Sequence, residues 1–216
     1  MVEHVYRRAA SARRIDAVVV ATDDARIAAA VRGFGGIVRM TGSHHVSGTE
    51  RVAEVARDLR CEVVVNVQGD EPLLNPDAID EALSPFDTDP SVVMSTLRTR
   101  LRHHDDYISP HAVKVVVDLR GDALYFSRAP IPYASAGVTA APVYKHIGLY
   151  AYRREFLLQI ATLAPTLLEQ TESLEQIRVL EHGFRIRTVE TVHDSVGVDT
   201  PADLERVRRT LSAART

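Results

Sequence analysis

Two aspartates stand where acidic side chains could hold a metal ion. Asp70 follows the apolar run Val63 to Gln68 within Gly69-Asp70-Glu71-Pro72, so a strand runs straight into carboxylates, and open α/β sheets bind ligands beyond the carboxyl ends of their strands. A hard cation such as Mg2+ takes one or two carboxylates together with phosphate oxygens and waters, and Gly69 lets a bulky ligand approach the backbone. Asp199 lies in Val196-Gly197-Val198-Asp199-Thr200-Pro201, again a strand-like segment entering a helix that opens on proline. Each site has a plainer reading. Gly, Asp and Pro form ordinary strand-ending turns, and Asp199 or Thr200 would cap the following helix. Only tertiary structure can bring positions 70 and 199 together.

Three further groups could touch a substrate. The segment Thr41-Gly42-Ser43-His44-His45-Val46-Ser47-Gly48-Thr49-Glu50-Arg51 is polar and glycine-punctuated ahead of a helix, and such a helix start offers backbone donors to an anion or a base edge. The adjacent His44 and His45 invite a zinc reading. Sequence neighbours rarely face the same way, however, and no third ligand is evident, so zinc is not expected. Lys145 and His146 precede a strand and could bind a carboxylate, although exposed loop residues would look the same. Glu172, Glu175 and Gln176 fall at helical spacings and can share one face, as can residues of any solvated helix.

The elements that position these residues alternate along the chain. An opening helix holds Val2, Val5, Ala9 and Ala10 on one face; Ala17 to Ala21 reads as a strand, Asp24 to Val31 as a helix and Gly36 to Met40 as a strand. A helix from Thr49 to Leu59, capped by Thr49, leads to the strand Val63 to Gln68. Beyond it come helix Pro76 to Leu83, strand Val92 to Leu97, and a hairpin from Val113 to Asp118 and Ala123 to Phe126 around Arg120-Gly121. A proline-rich arm at Ala129 to Pro142 precedes strand Ile147 to Tyr152, helices Glu155 to Leu163 and Ser173 to His182, strand Arg185 to Val189 and a last helix from Pro201 to Leu211. The pattern predicts an α/β fold with a mainly parallel sheet covered by helices on both faces. Gly33, Gly35 and Gly36 lie between a helix and a strand, at the wrong end of such a sheet for ligand, and no Walker-type motif occurs.

With 216 residues and 45% hydrophobic content, one domain over 1–216 can bury a sizeable core. The 26 Lys and Arg against 29 Asp and Glu form no basic block, which argues against a nucleic-acid partner. The longest apolar runs fall far short of the roughly 20 residues that cross a bilayer, so no membrane partner is expected. The single cysteine, Cys61, permits no internal disulfide, and the charged first residues look unlike a secretory signal; a cytoplasmic setting follows.

A series of words in fixed order then closely resembles the 3-deoxy-manno-octulosonate cytidylyltransferase (CMP-Kdo synthetase) family from about Met1 to Leu211. They are Val19-Val20-Ala21-Thr22-Asp23, Ser47-Gly48-Thr49-Glu50-Arg51, Val65-Asn66-Val67-Gln68-Gly69-Asp70-Glu71-Pro72, Ala112-Val113-Lys114-Val115-Val116 and Ala123-Leu124-Tyr125-Phe126-Ser127-Arg128. Later come Lys145-His146-Ile147-Gly148-Leu149-Tyr150, Leu174-Glu175-Gln176-Ile177-Arg178-Val179-Leu180 and Gly197-Val198-Asp199-Thr200-Pro201. The resemblance implies a Rossmann-like nucleotidyltransferase sheet with a small β-rich dimerisation lobe at about 112–150, and a homodimer. It implies an enzyme joining CTP to the acidic sugar Kdo, with release of pyrophosphate, for lipopolysaccharide biosynthesis. Asp70 and Asp199 match the family's magnesium ligands and would be the catalytic pair. Ser47, Gly48, Thr49 and Arg51 match its nucleotide side; Gln68, His146, Tyr150, Glu175 and Gln176 match its sugar side.

The chain also departs from the family. Members carry a strand and an Arg-Ser-Arg-Leu-Pro-Gly-Lys-type loop before the helix that here begins at Met1, which suggests either a coding region starting upstream or a truncated, catalytically silent homologue serving as a binding or dimer partner. His44 stands where relatives have Asp, and Ser109-Pro110-His111 where they have Asn-Pro-Asn. Another acidic or amino sugar is the remaining alternative substrate.

Overall fold

The computed structural model describes residues 1–136, 141–194, 197, 198 and 200–213. In chain order the elements are α1 (Val2–Ala10), β1 (Val19–Thr22), α2 (Ala25–Gly33), β2 (Ile37–Met40), α3 (Gly48–Ala56), β3 (Val63–Asn66), α4 (Pro76–Leu83), α5 (Pro85–Thr88), β4 (Met94–Arg100), α6 (His104–Ile108), β5 (Lys114–Val117), β6 (Ala123–Ser127), β7 (Tyr144–Arg153), α7 (Arg154–Ile160), α8 (Leu167–Glu172), α9 (Gln176–Glu181), β8 (Arg187–Glu190) and α10 (Pro201–Ala213). No helix among the described residues is long and apolar enough to cross a membrane. The chain divides into two compact units, one of Met1–Arg60, Asn66–Asp80 and His193–Thr216, the other of Cys61–Val65 and Glu81–Val192.

The first unit is built around a parallel pair, β1 and β2, in register from Val19 opposite Ile37 to Thr22 opposite Met40. Helix α1 buries Val5 and Ala9, four residues apart on one face, while Arg7 and Glu3 pair on the solvent side. Asp24 caps α2 by accepting the Arg26 amide at 2.7 Å. Arg26 lies against the same carboxylate and holds its pKa down to about 2. The glycines after α2 end the helix: Gly35 takes φ 79°, and the Gly36 amide reaches back to the Val31 carbonyl at 2.9 Å. They form a turn into β2, as their place in the sequence suggested.

A buried carboxylate fixes the exit of α1. Asp80 on α4 is 7% exposed and accepts from the Arg13 amide at 3.2 Å, the Arg14 amide at 3.0 Å and Arg13 Nε at 3.0 Å. Burial would raise its pKa, but these donors outweigh burial and hold the carboxyl below its usual range. Removing an acceptor from two backbone donors leaves them short of a partner, so Asp80→Ala should destabilise the protein by about 2 kcal/mol. Urea unfolding measures this as a lower midpoint at unchanged slope; an unshifted midpoint would show that water replaces the carboxylate freely.

The second unit is a six-stranded sheet ordered β6-β5-β7-β4-β8, with β3 also paired to β7. Here the parallel expectation needs correction. β4 and β8 run parallel, but β7 is antiparallel to both β4 and β5, and β5 is antiparallel to β6. Strands joined by tight turns pair antiparallel, and the β5–β6 turn is tightly specified. Asp118 Oδ1 accepts the Arg120 and Asp122 amides, each at 2.8 Å, and Gly121 takes φ 84°. The core of this unit includes Met94, Leu97, Phe126, Leu149 and Ile186, each below 2% exposed.

Other boundaries also moved. Strand β7 begins at Tyr144, so Lys145 and His146 lie inside the sheet and do not precede it. The expected helix from Ser173 to His182 is two helices: Ser173 ends α8 in a left-handed conformation, φ 52°, and α9 starts at Gln176. Glu172, Glu175 and Gln176 therefore share no single helix face. The cap of α3 is Ser47, whose hydroxyl accepts the Glu50 amide at 3.2 Å, and Thr49 lies buried inside the helix. At α10, Thr200 does cap: its hydroxyl accepts the Asp203 amide at 3.2 Å, and Asp203 accepts the Thr200 amide at 3.0 Å. Within the proline-rich arm, residues 137–140 lie outside the described residues.

Candidate active site

In the first unit the candidate residues gather at the carboxyl ends of the parallel strands. Strand β1 ends at Asp23 and Asp24, and β2 runs into Thr41 and Gly42. Arg51, one turn into α3, spans both ends. Its Nη1 donates to Thr41 Oγ1 at 2.6 Å, and its Nη2 donates to Asp23 Oδ2 at 3.2 Å. A guanidinium held on two sides is pre-oriented for an anion or a base edge. Asp23 is the residue that site reasoning from sequence missed, although its place after a strand is the same signal that singled out Asp70.

The backbone is open at two of the candidate positions. A side-chain carbon added at Gly48 or at Gly69 would meet nothing within 4 Å. Ser47 is occupied as the helix cap, so its hydroxyl positions the first turn of α3, where the amides of Gly48 and Thr49 point out of the helix start. Gln68 and Gly69 are exposed and Asp70 is half-buried.

Asp70 sits on a loop tied down at its backbone. The Val198 amide donates to the Asp70 carbonyl at 3.0 Å, Asn75 Nδ2 meets His193 Nδ1 at 2.9 Å, and Arg8 Nη1 donates to the Leu74 carbonyl at 3.1 Å. Among the described residues no side chain engages the Asp70 carboxylate. A half-buried carboxylate is a hard oxygen donor suited to Mg2+. Asp199 lies outside the described residues; the residue before it, Val198, is the one bonded to Asp70.

In the second unit His146 is buried, with Phe126 edge-on at 4.9 Å and Tyr150 at 5.4 Å between ring centroids. Burial drives its pKa down to about 3, so the ring is neutral at physiological pH. Thr96 anchors the ring: its hydroxyl lies 2.9 Å from His146 Nε2, 3.1 Å from the Ile147 carbonyl and 2.8 Å from the Leu149 carbonyl. The bulge that creates this arrangement is visible in the register, where Thr96 faces Tyr150 but Leu97 faces Ile147.

The remaining sugar-side candidates take different positions. Glu175 is half-buried at the cap position of α9 and Gln176 is 6% exposed in its first turn. Glu172 is structural: its carboxylate accepts from Ser127 Oγ at 2.6 Å and the Arg128 amide at 2.9 Å, docking α8 on the end of β6. Arg178 and Glu169 form a buried two-pronged ion pair at 2.6 and 2.8 Å that fixes α9 to α8. Thus Ser47, Gly48, Thr49, Arg51, Gln68 and Asp70 belong to one unit, and His146, Tyr150, Glu175 and Gln176 to the other.

Known proteins share this framework. A family model described as cytidylyltransferase matches residues 1–188. The 3-deoxy-manno-octulosonate cytidylyltransferase of Geobacter sulfurreducens is 55% identical over 96% of this chain and 87% of its own length. That of Geobacter metallireducens is 54% identical over 98% and 87%. A solved CMP:2-keto-3-deoxy-manno-octonic acid synthetase complexed with CTP superimposes with a TM-score of 0.93 at 42% identity, covering 99% of this chain and 88% of that one. The more distant 4-diphosphocytidyl-2C-methyl-D-erythritol synthase from Anaerococcus prevotii, 13% identical with a TM-score of 0.62, shares the fold. With identity above one half sustained across nearly the whole length, the chain belongs to the 3-deoxy-manno-octulosonate cytidylyltransferase family.

Proposed function

We propose that the protein transfers the cytidylyl group of CTP to Kdo, giving CMP-Kdo and pyrophosphate, the activated sugar consumed in lipopolysaccharide biosynthesis. The observation that carries this reading is the likeness, over 99% of the chain, to a synthetase complexed with CTP. The local geometry supports it, because Arg51 and the start of α3 place donors where β1 and β2 end.

In the transfer, the anomeric hydroxyl of Kdo attacks the α-phosphorus in line with departing pyrophosphate. One P–O bond forms, the bridging P–O bond to the β-phosphate breaks, and the hydroxyl proton is lost to solvent or base. Asp70 and Asp199 would hold Mg2+. When bound, the ion offsets phosphate charge and lowers the proton affinity of an attacking hydroxyl. Arg51, fixed by Asp23 and Thr41, offers a preset cation to the nucleotide side together with Ser47, Gly48 and Thr49. By the family likeness, Gln68 of the first unit and His146, Tyr150, Glu175 and Gln176 of the second are the sugar-side candidates, buried His146 acting through its contact with Tyr150. The protein works as a cytoplasmic homodimer, a reading supported by the exposed Leu119, Leu124 and Tyr133 on and beside the hairpin lobe.

The test is pyrophosphate release with each substrate omitted in turn. Release is expected only when CTP, Kdo and Mg2+ are all present. Equal release with another acidic sugar would reassign the substrate, and none from a folded protein would support the silent-partner alternative.

A further inference from the structure

We propose that His44, His45 and Glu54 form a binding site for a borderline divalent ion of the zinc class, separate from the Asp70 carboxylate. One ligand atom from each residue lies within 4.8 Å of the others. Three ligands at zinc bonding distance, about 2.0–2.1 Å from the ion, stand roughly 3.4 Å apart in a tetrahedron. Binding would replace the direct His45 Nε2–Glu54 Oε2 hydrogen bond, those two atoms parting to admit the ion, while the exposed His44 side chain rotates in to complete the set.

The sequence argued against this site on two grounds, and the structure removes both. Adjacent histidines here do face the same way: their ring centroids are 4.4 Å apart. Gly42 makes that possible, because a side-chain carbon at this position would run into the His44 ring. The third ligand comes from the next helix, nine residues beyond His45. Glu54 Oε2 is hydrogen-bonded to His45 Nε2 and accepts the Gly42 amide at 3.1 Å. As a carboxylate, Glu54 is anionic at neutral pH.

The surroundings match a metal ligand set in two respects. His45 Nδ1 lies 3.7 Å from Glu50 Oε2, and Glu50 is itself anchored by the Val46 amide at 3.2 Å. At that separation the carboxylate is beyond hydrogen-bond reach of the ring, but its negative charge behind the imidazole favours a bound cation. Glu50 and Glu54 are also four residues apart on one helix face, where like charges repel unless a cation lies between them. Two imidazoles and one carboxylate make three protein ligands with a fourth position open, a set that selects zinc or cobalt over magnesium. Such an ion would clamp the Thr41 to Ser47 segment onto α3. It depends on nothing assumed about CTP or Kdo.

Zinc titration by calorimetry in excess Mg2+, which keeps oxygen-only sites filled, tests the site. One Zn2+ per chain is expected with a Kd below about 1 μM, equivalent to about 8 kcal/mol. Co2+ in its place should give visible absorption bands of a nitrogen-containing, four-coordinate site. His44→Asn, on an exposed loop side chain that the fold does not need, and Glu54→Gln should each weaken binding at least tenfold with the circular dichroism spectrum unchanged, while Asp70→Asn keeps the stoichiometry. Absence of binding above the Mg2+ background, or affinity unchanged in His44→Asn, would overturn the proposal. Should Glu54→Gln unfold, His44→Asn decides by itself.

Discussion

Asp70→Asn is expected to leave a folded protein whose turnover with CTP, Kdo and saturating Mg2+ falls about a thousandfold, the equivalent of about 4 kcal/mol of transition-state stabilisation. The substitution keeps the shape of the side chain and the backbone carbonyl that receives the Val198 amide. What it removes is a negatively charged oxygen donor. The loss should therefore fall on kcat, with partial recovery at high metal concentration if residual binding limits the rate. Thermal unfolding within a degree or two of the parent protein would confirm that the fold is untouched. Near-parental turnover would remove Asp70 from the reaction and leave its half-burial without a catalytic purpose.

His146 supplies the other large effect, on stability. Its folded pKa of about 3 lies well below the roughly 6.5 of a free imidazole. Between those two values the unfolded chain takes up a proton that the folded chain refuses, so folding weakens as pH falls. The contribution of the neutral ring is fully present above about pH 6.5 and is lost on the way down to the folded value. From pH 7 to pH 4 the loss from this single group is on the order of 3 kcal/mol. Carboxylates add a slope of their own, so the measurement is a difference: urea unfolding across that range in the parent protein and in His146→Gln. The parent should show the steeper decline by about that amount. Identical slopes would mean that the ring gains water or a partner on protonation, and its enclosure against Phe126 and Tyr150 would then be looser than it stands here.

What was legible in the sequence was what periodicity encodes. The β-branched run of β3, the helices on either side of β1 and the glycine turn between β5 and β6 follow from side-chain shape and backbone freedom alone. The direction of β7 does not, because alternation of apolar residues is identical in parallel and antiparallel strands. Helix α8 escaped notice because Leu167 and Leu168 are exposed and give no buried stripe, and because its end at Ser173 uses a left-handed residue other than glycine. The Ser47 cap could have been read from Ser47 and Glu50 three residues apart, a pairing that a Thr at position 49 obscured. The loop position of Asp70 was visible from its place after a strand. The burial of His146 was not, since nothing local distinguishes a histidine in a loop from one inside a ten-residue strand.

The bond between Asn75 and His193 joins residues 118 apart in sequence. A ribosome delivering this polypeptide exposes Asp70 and its turn long before the segment that braces them exists. The first unit needs three separate stretches of chain, the last starting at His193, whereas the second needs nothing beyond Val192. During synthesis the sheet of the second unit has all its strands before the acidic loop receives its brace, so a nascent protein can be largely shaped while that loop is still untethered.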